Sequence, residues 1–427
     1  MTPDDNCCLD YERAATVSRR RFLQGVAATS AATVTTSMFG DALRQTSYAA
    51  TTGGNVLVVL SLRGGIDGLG MVVPHGDPAY YAARPRIGVP KESLICPDPD
   101  GMFGLHPKMK PLEWLFQNGE LAAVHAVGME VPNRSHFLAM EEIEDADPGS
   151  SARRGWVNRM IGLDTNSSPA EAIHLASPIV PTMLVGPAPT LSADRLDRIV
   201  LAGATGTWAG RRRTQLKTVW DPAGGALGAA GRSALDTVQK LAPVANATYR
   251  PANGVVYPTD WPAVDLSAAL KDTAQLIKAN VGTEVVSIDY GSWDMHSDYG
   301  NVDGGGMQSM IGGFAASLDA FLRDLGALRS RVTVVTISEF GRRVEENGNR
   351  GLDHGWGNMM LLAGGGVRGG YHGRWPGLGT SKLVQGDLAV TTDYRQVLAE
   401  VVTSRFPGRS ATKVFPGLTY RPLDVIR

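Results

Sequence analysis

The chain has 427 residues, of which 43% are hydrophobic and 19% charged, a globular balance that excludes disordered and fibrous classes. Lys+Arg 41 against Asp+Glu 42 leaves a net charge of -1, so no overall basic surface exists to condense on nucleic acid. Gly 51 and Pro 25 mean many turns and loops, as in an enzyme-like scaffold.

In chain order, the first feature is a leader. Ser18-Arg19-Arg20-Arg21-Phe22-Leu23 has the twin-arginine pattern, and an Ala/Thr/Val-rich stretch follows from Gly25 to about Phe39. Ser47-Tyr48-Ala49 places small residues where a signal peptidase reads them. Residues 1–49 are therefore expected to be a twin-arginine signal peptide. Residues 50–427 would then be exported to the periplasm or cell envelope, or outside the cell. No later apolar run reaches membrane length. Export in the folded state suits proteins that take up a metal or cofactor beforehand. Cys7 and Cys8 lie in the leader, which leaves only Cys96. The mature chain has no internal disulfide and no cysteine zinc site, so a metal would be held by Asp, Glu, His and hydroxyls.

Asn55 to Leu62 (NVLVVLSL) reads as a buried strand ended by Arg63-Gly64-Gly65. Pro107 to Asn118 reads as a helix, Leu121 to Val127 as a second strand, and Ser135 to Glu144 as a helix with Ser135 at its N-cap. Helical patches at Thr207 to Val219 and Ala263 to Asn280 lie in an Ala/Pro/Ser/Thr-rich stretch, 150–279. Its strand signal is confined to Pro181 to Val185, and it reads as an insertion or cap over the sheet. Thr283 to Tyr290 is a third strand. Met307 to Leu325 is an amphipathic helix ended by Gly326. Arg331 to Ser338 and Asn358 to Ala363 are further strands, and Asp393 to Ser404 is the last helix. Buried strands alternating with helices predict an α/β fold with a mostly parallel central sheet covered on both faces. There is no GxGxxG after a strand, no Walker A loop and no GxSxG elbow.

Polar residues collect at the ends of these strands, the edge where open α/β sheets bind ligands. Asp67 follows the first strand, Ser135 and His136 the second, Asp294 and His296 the third, and Glu339 and Arg342 the fourth. Asp353 and His354 precede the fifth. Taken singly, each has a plain structural explanation: a turn for Asp67, an N-cap for Ser135, an ion pair for Glu339 with Arg342. Together they make an oxygen/nitrogen metal-ligand set. His125 lies inside a strand and reads as a core residue.

The segments GGIDG, HPKMKPLEWLFQNGELAAVHAVG, NRSHF, GWVNR, WDMHS, SEFGR and GLDHGWGN, in this order, resemble the exported, uncharacterised DUF1501 family. That family is grouped with the alkaline phosphatase/sulfatase-like superfamily. The resemblance implies a three-layer α/β/α sandwich, alkaline phosphatase-like, with a helical cap insertion and a metal centre at the strand ends. It further implies that Asp67, Asp294, His296, Glu339 and His354 bind a divalent metal (zinc first, or calcium, manganese or magnesium), and that Ser135 is the nucleophile. Phe340 stands where the superfamily has a metal-binding His, and it cannot bind metal. His136 and Asp353 are the candidates to compensate.

On this reading the protein is an exported metal-dependent hydrolase of phosphate or sulfate esters. Ser135 would attack at the anion-favouring start of its helix, while Arg63, Arg134 or Arg342 clamps the transferred group. The substrate would be a small-molecule or envelope-glycan ester. Two alternatives stay open: a catalytically degenerate metal-binding or cell-envelope binding protein of the same fold, and a carbohydrate-binding protein stacking sugars on Trp208, Trp220, Trp261 and Trp293.

Overall fold

The structure is a computed structural model that describes residues 54–164, 168–201 and 206–427. The leader with Arg19, Arg20 and the exit at Ala49 lies outside the described residues.

The first strand, β1 (Val56–Leu62), is buried along its whole length. Side chains alternate across a strand, so an all-apolar run with both faces buried must sit between two layers. Val56, Val58, Leu60 and Leu62 enter one hydrophobic cluster and Leu57 and Val59 the other. The short strands β2 (Val72–Val73) and β3 (Gly104–Leu105) form a small antiparallel ribbon. The remaining strands are β4 (Leu121–Gly128), β5 (Ala172–Leu175), β6 (Leu191–Ala193), β7 (Val285–Tyr290), β8 (Val332–Ile337), β9 (Asn358–Gly364), β10 (Gly370–His372) and β11 (Thr392–Asp393).

They form one nine-stranded sheet in the order β10-β4-β9-β8-β1-β7-β5-β6, with β11 also on β4. Centrally, β1 pairs in parallel with both β7 and β8, with Leu57 opposite Val285 and Val58 opposite Val334. Only β9 runs against its neighbours β4 and β8. The carboxyl ends of β1, β4, β7 and β8 and the amino end of β9 therefore share one edge.

One face of the sheet is covered by α4 (Val264–Ala279) and α5 (Gly306–Leu325), through residues such as Leu266, Leu270, Phe314 and Phe321. The other is covered by α1 (His136–Asp145) and α6 (Tyr394–Arg405), through Met140, Ile143, Val397 and Val401. This is the expected three-layer α/β/α sandwich with a mostly parallel sheet.

Several local expectations are corrected. Pro107–Leu112 is a 3-10 helix and only Glu113–Gln117 is α-helical. Pro111 has no N–H to continue an α-helical ladder from the first turn. Pro181 to Val185 is no strand; Thr182–Leu184 is a 3-10 turn. The stretch 150–279 supplies β5 and β6 to the sheet and α4 to its cover. Helices α2 (Ala209–Trp220) and α3 (Gly225–Ala245) also lie in this stretch. Ala172 to Leu175 carry no long apolar run; their neighbours in the sheet, not their own pattern, make them a strand.

Candidate metal centre

At the shared edge, three loops are drawn together by one guanidinium. Arg342 is buried; its Nε donates to the Gly65 carbonyl at 2.6 Å and its Nη1 to the Leu352 carbonyl at 2.9 Å. Its Nη2 donates to the Gly64 carbonyl and, at 2.5 Å, to Asp294 Oδ1. The loops after β1 and β7 and before β9 thus meet on the segment after β8. Gly64, at φ +112°, makes this approach possible: a Cβ there would lie 2.7 Å from the Asp294 nitrogen.

Around Asp294 stand three imidazoles. His296 Nε2 lies 3.1 Å and His354 Nε2 3.3 Å from Asp294 Oδ1, and His136 Nε2 lies 3.5 Å from Oδ2. The ring nitrogens also face one another: His136 Nε2 is 3.0 Å and His296 Nε2 3.1 Å from His354 Nε2. Each ring is anchored through its other nitrogen. His136 Nδ1 meets Glu339 Oε1 at 2.8 Å, His296 Nδ1 meets Asp353 Oδ1 at 3.1 Å, and His354 Nδ1 meets the Arg134 carbonyl at 3.0 Å. Those partners are acceptors, so each Nδ1 donates to them and each Nε2 faces Asp294 or a neighbouring ring; in the neutral rings the lone pair would then sit on Nε2. Outward Nδ1–H held by a carboxylate or carbonyl, with inward Nε2, is how proteins orient metal-ligating histidines.

The surrounding carboxylates favour protonated rings, so a metal ion would bind here in competition with protons. Hydrogen bonding to Asp294 and then Glu339 pushes the His136 imidazole up to about 9, and the Asp294 hydrogen bond also raises His296. Burial opposes ionisation of Asp294, but hydrogen bonds from His136, His296, His354 and Arg342 hold it far below the usual carboxylate range. The cluster is built to surround positive charge at its centre. Among the described residues His136, His354 and Asp294 bring ligand atoms within 4.8 Å of one another, with His296 Nε2 beside Asp294 and His354; such imidazoles and a carboxylate suit a divalent transition metal, and zinc above the oxygen-seeking calcium and magnesium.

The other residues singled out in the sequence take different places. Glu339 is buried, accepts from His136 and from the Gly64 N–H at 2.8 Å, and so orients the His136 ring. Asp353 does the same for His296, with Asn347 Nδ2 donating to it at 3.0 Å. Asp67 is not among the converging groups. Arg84 grips it through two contacts of 2.6 Å and 2.9 Å, and Tyr299 Oη donates to it at 2.5 Å, all of them buried. Ser135 is the N-cap of α1 and half-buried, but its side chain makes no capping bond. Arg63 is paired with Glu144 at 2.6 Å and Asp289 at 3.1 Å, and Arg134 with the buried Asp387. Arg342 reaches the site, where its donors are committed to carbonyls and to Asp294.

Phe340 is a wall. It is buried, with its ring centroid 4.9 Å from His136 and 4.8 Å from His354. Arg84, Tyr299 and Asn347 escaped the sequence reading. Each acts as a partner across a long loop, and nothing in their local spacing marks them.

The described residues thus define an α/β/α protein with a histidine-rich cluster at the carboxyl edge of its sheet. Residues 273–407 match the family model described as "Protein of unknown function (DUF1501)". That segment holds Asp294, His296, Glu339, Asp353 and His354. No curated protein matches the chain. Similar solved structures include the C-terminal periplasmic domain of EptC from Escherichia coli in complex with zinc. It is 10% identical, covers 73% of this chain and 74% of its own, and has a TM-score of 0.32. A protein in the alkaline phosphatase superfamily from Vibrio parahaemolyticus is 10% identical over 75% of this chain and 64% of its own, TM-score 0.34. The lipoteichoic acid synthase LtaP from Listeria monocytogenes is 8% identical over 80% and 76%, TM-score 0.31.

Proposed function

We propose that the protein is a metal-dependent hydrolase of phosphate or sulfate esters with one divalent ion held by His136, His296, His354 and Asp294. The observation that carries this reading is the convergence of three Nε2 atoms on the Asp294 carboxylate, with every Nδ1 anchored. When bound, the ion supplies Lewis-acid polarisation of an ester oxygen. The chain's own residues do the rest. Glu339, Asp353 and the Arg134 carbonyl hold the rings, and Arg342 holds Asp294. Ser135 presents an uncapped hydroxyl beside His136, at the start of a ten-residue helix whose free N–H groups favour an anionic group. It is the candidate nucleophile toward phosphorus or sulfur.

A second reading is a metal-holding protein without turnover. Four protein donors fill a tetrahedral shell, as in structural zinc sites. Exposure weighs against it: the Asp294 side chain is 45% and the His296 side chain 38% exposed, which leaves one side of the centre open.

The test is elemental analysis of the exported protein, followed by a panel of phosphate and sulfate esters. One equivalent of metal in the wild type, lost in His354→Ala, is the expected result. Ser135→Ala should keep its metal and lose turnover by about a hundredfold or more. Turnover that survives Ser135→Ala makes Ser135 an N-cap only. Metal content unchanged by His354→Ala removes that residue from the centre.

The reading includes export. Among the described residues no helix is long and apolar enough to cross a membrane, and Arg19-Arg20 stand in a twin-arginine pattern. Replacing both with Lys should leave the protein in the cytoplasm on fractionation; normal export of that variant would sink the assignment.

A further inference from the structure

The same sheet edge carries a second feature. Past the carboxyl ends of β5, β6 and β7 lies a cleft of about 530 Å³, within the range of small-molecule sites. The strand ends form one side, and the segment leading into α4 forms the other. Trp261, 70% exposed, stands in this wall, and Tyr290 lines it from the end of β7.

The charged residues of the cleft are Asp194, Arg195, Asp265 and Asp289. Arg195 is neutralised by Asp272, at 2.7 Å and 2.9 Å. Asp289 is paired with Arg63 at 3.1 Å. Asp194 and Asp265 are exposed, and among the described residues neither carboxylate has a cationic partner. The cleft is thus left with two uncompensated negative charges beside an exposed indole. It would repel a phosphate or sulfate. The first turn of α4, where helix N–H groups would otherwise favour an anion, already holds Asp265. A cation gains from both elements, over the face of Trp261 and between the carboxylates.

We propose that this cleft binds an organic ammonium group, with Trp261 as its platform and Asp194 and Asp265 as its counter-charges. The inference stands on the cleft alone and does not require the metal centre to act.

The experiment is calorimetric titration of the full chain with choline chloride, with glucose as a neutral polyol of similar size. Saturable choline binding that weakens with added salt is expected, with no binding of glucose. Trp261→Ala and the double variant Asp194→Asn/Asp265→Asn should each weaken choline binding about tenfold or more. All three positions are exposed, so the fold should be intact by circular dichroism. His354→Ala should bind choline like the wild type even as its metal content falls, which separates failure here from failure at the centre. No saturable choline binding, equal affinity for glucose, or an affinity unmoved by both the Trp261 and the double variant overturns the proposal.

Discussion

At Asp67, the same carboxylate supports two roles that a substitution can separate. A turn residue after β1 would be a ligand by position, yet its oxygens are buried against Arg84 and Tyr299. Removing one partner of a buried pair leaves the other charge uncompensated, which costs about 3–5 kcal/mol. Asp67→Asn should therefore lower the melting temperature clearly while the folded protein retains its metal. A variant of unchanged stability that has lost its metal would instead make Asp67 a ligand. Phe340 illustrates the converse. An aromatic side chain where a metal ligand is expected reads as a loss, but in the fold it buttresses His136 and His354. Gly65, at φ +60°, leaves room for it: a Cβ there would lie 2.5 Å from the Phe340 ring.

At the scale of elements, the centre is a product of strand ends. β1, β7 and β8 are adjacent and parallel, so their following loops meet without long excursions. β9 runs the other way, so the residues before it, Asp353 and His354, reach the same place. The segment after β8 holds the other three loops at once through Glu339 and Arg342. Glu339→Gln keeps the shape but removes the charge that fixes the His136 ring. It should lower metal affinity about 10–100-fold with secondary structure unchanged, measured by competition with a chelator. Wild-type affinity in that variant would show that Glu339 does not orient a ligand. Much of this layer was legible in the sequence, because buried strands with both faces covered are short runs rich in Val, Leu, Ile and Ala. The strands β5 and β6 were not, since short segments at a sheet margin take their structure from the strand beside them.

At the scale of the whole molecule, buried histidines outside the centre tie stability to pH. His125 is 3% exposed and stacks on Phe103, with centroids 3.7 Å apart. Burial pushes its imidazole down to about 3, and burial likewise pushes His106 down to about 4. The sign follows from linkage: the unfolded chain, titrating near 6.5, takes up the proton that the folded chain refuses. These residues therefore leave stability intact above about pH 6.5 and erode it as pH falls toward their folded values. At about pH 5, His125 alone should account for roughly 2 kcal/mol. Thermal melts at about pH 7.5 and pH 5 should show a smaller acid loss in His125→Phe than in the wild type. An equal loss would rule His125 out as a source of acid sensitivity.

What the sequence determined by itself is what short-range chemistry encodes: the buried strands, the helices that cover them, and the polar residues waiting at their ends. His136 and Asp353 were visible there as candidates to compensate for Phe340. Tertiary structure alone decided how those residues divide. Three histidines and Asp294 converge; Glu339, Asp353 and Arg342 stand behind them; Asp67 turns away to Arg84. The reason is physical. Strand formation follows from burial of contiguous residues, whereas a ligand is distinguished from the group that orients it by a few ångströms between loops far apart in the chain. That distance is set by how β1, β7, β8 and β9 are ordered in the sheet.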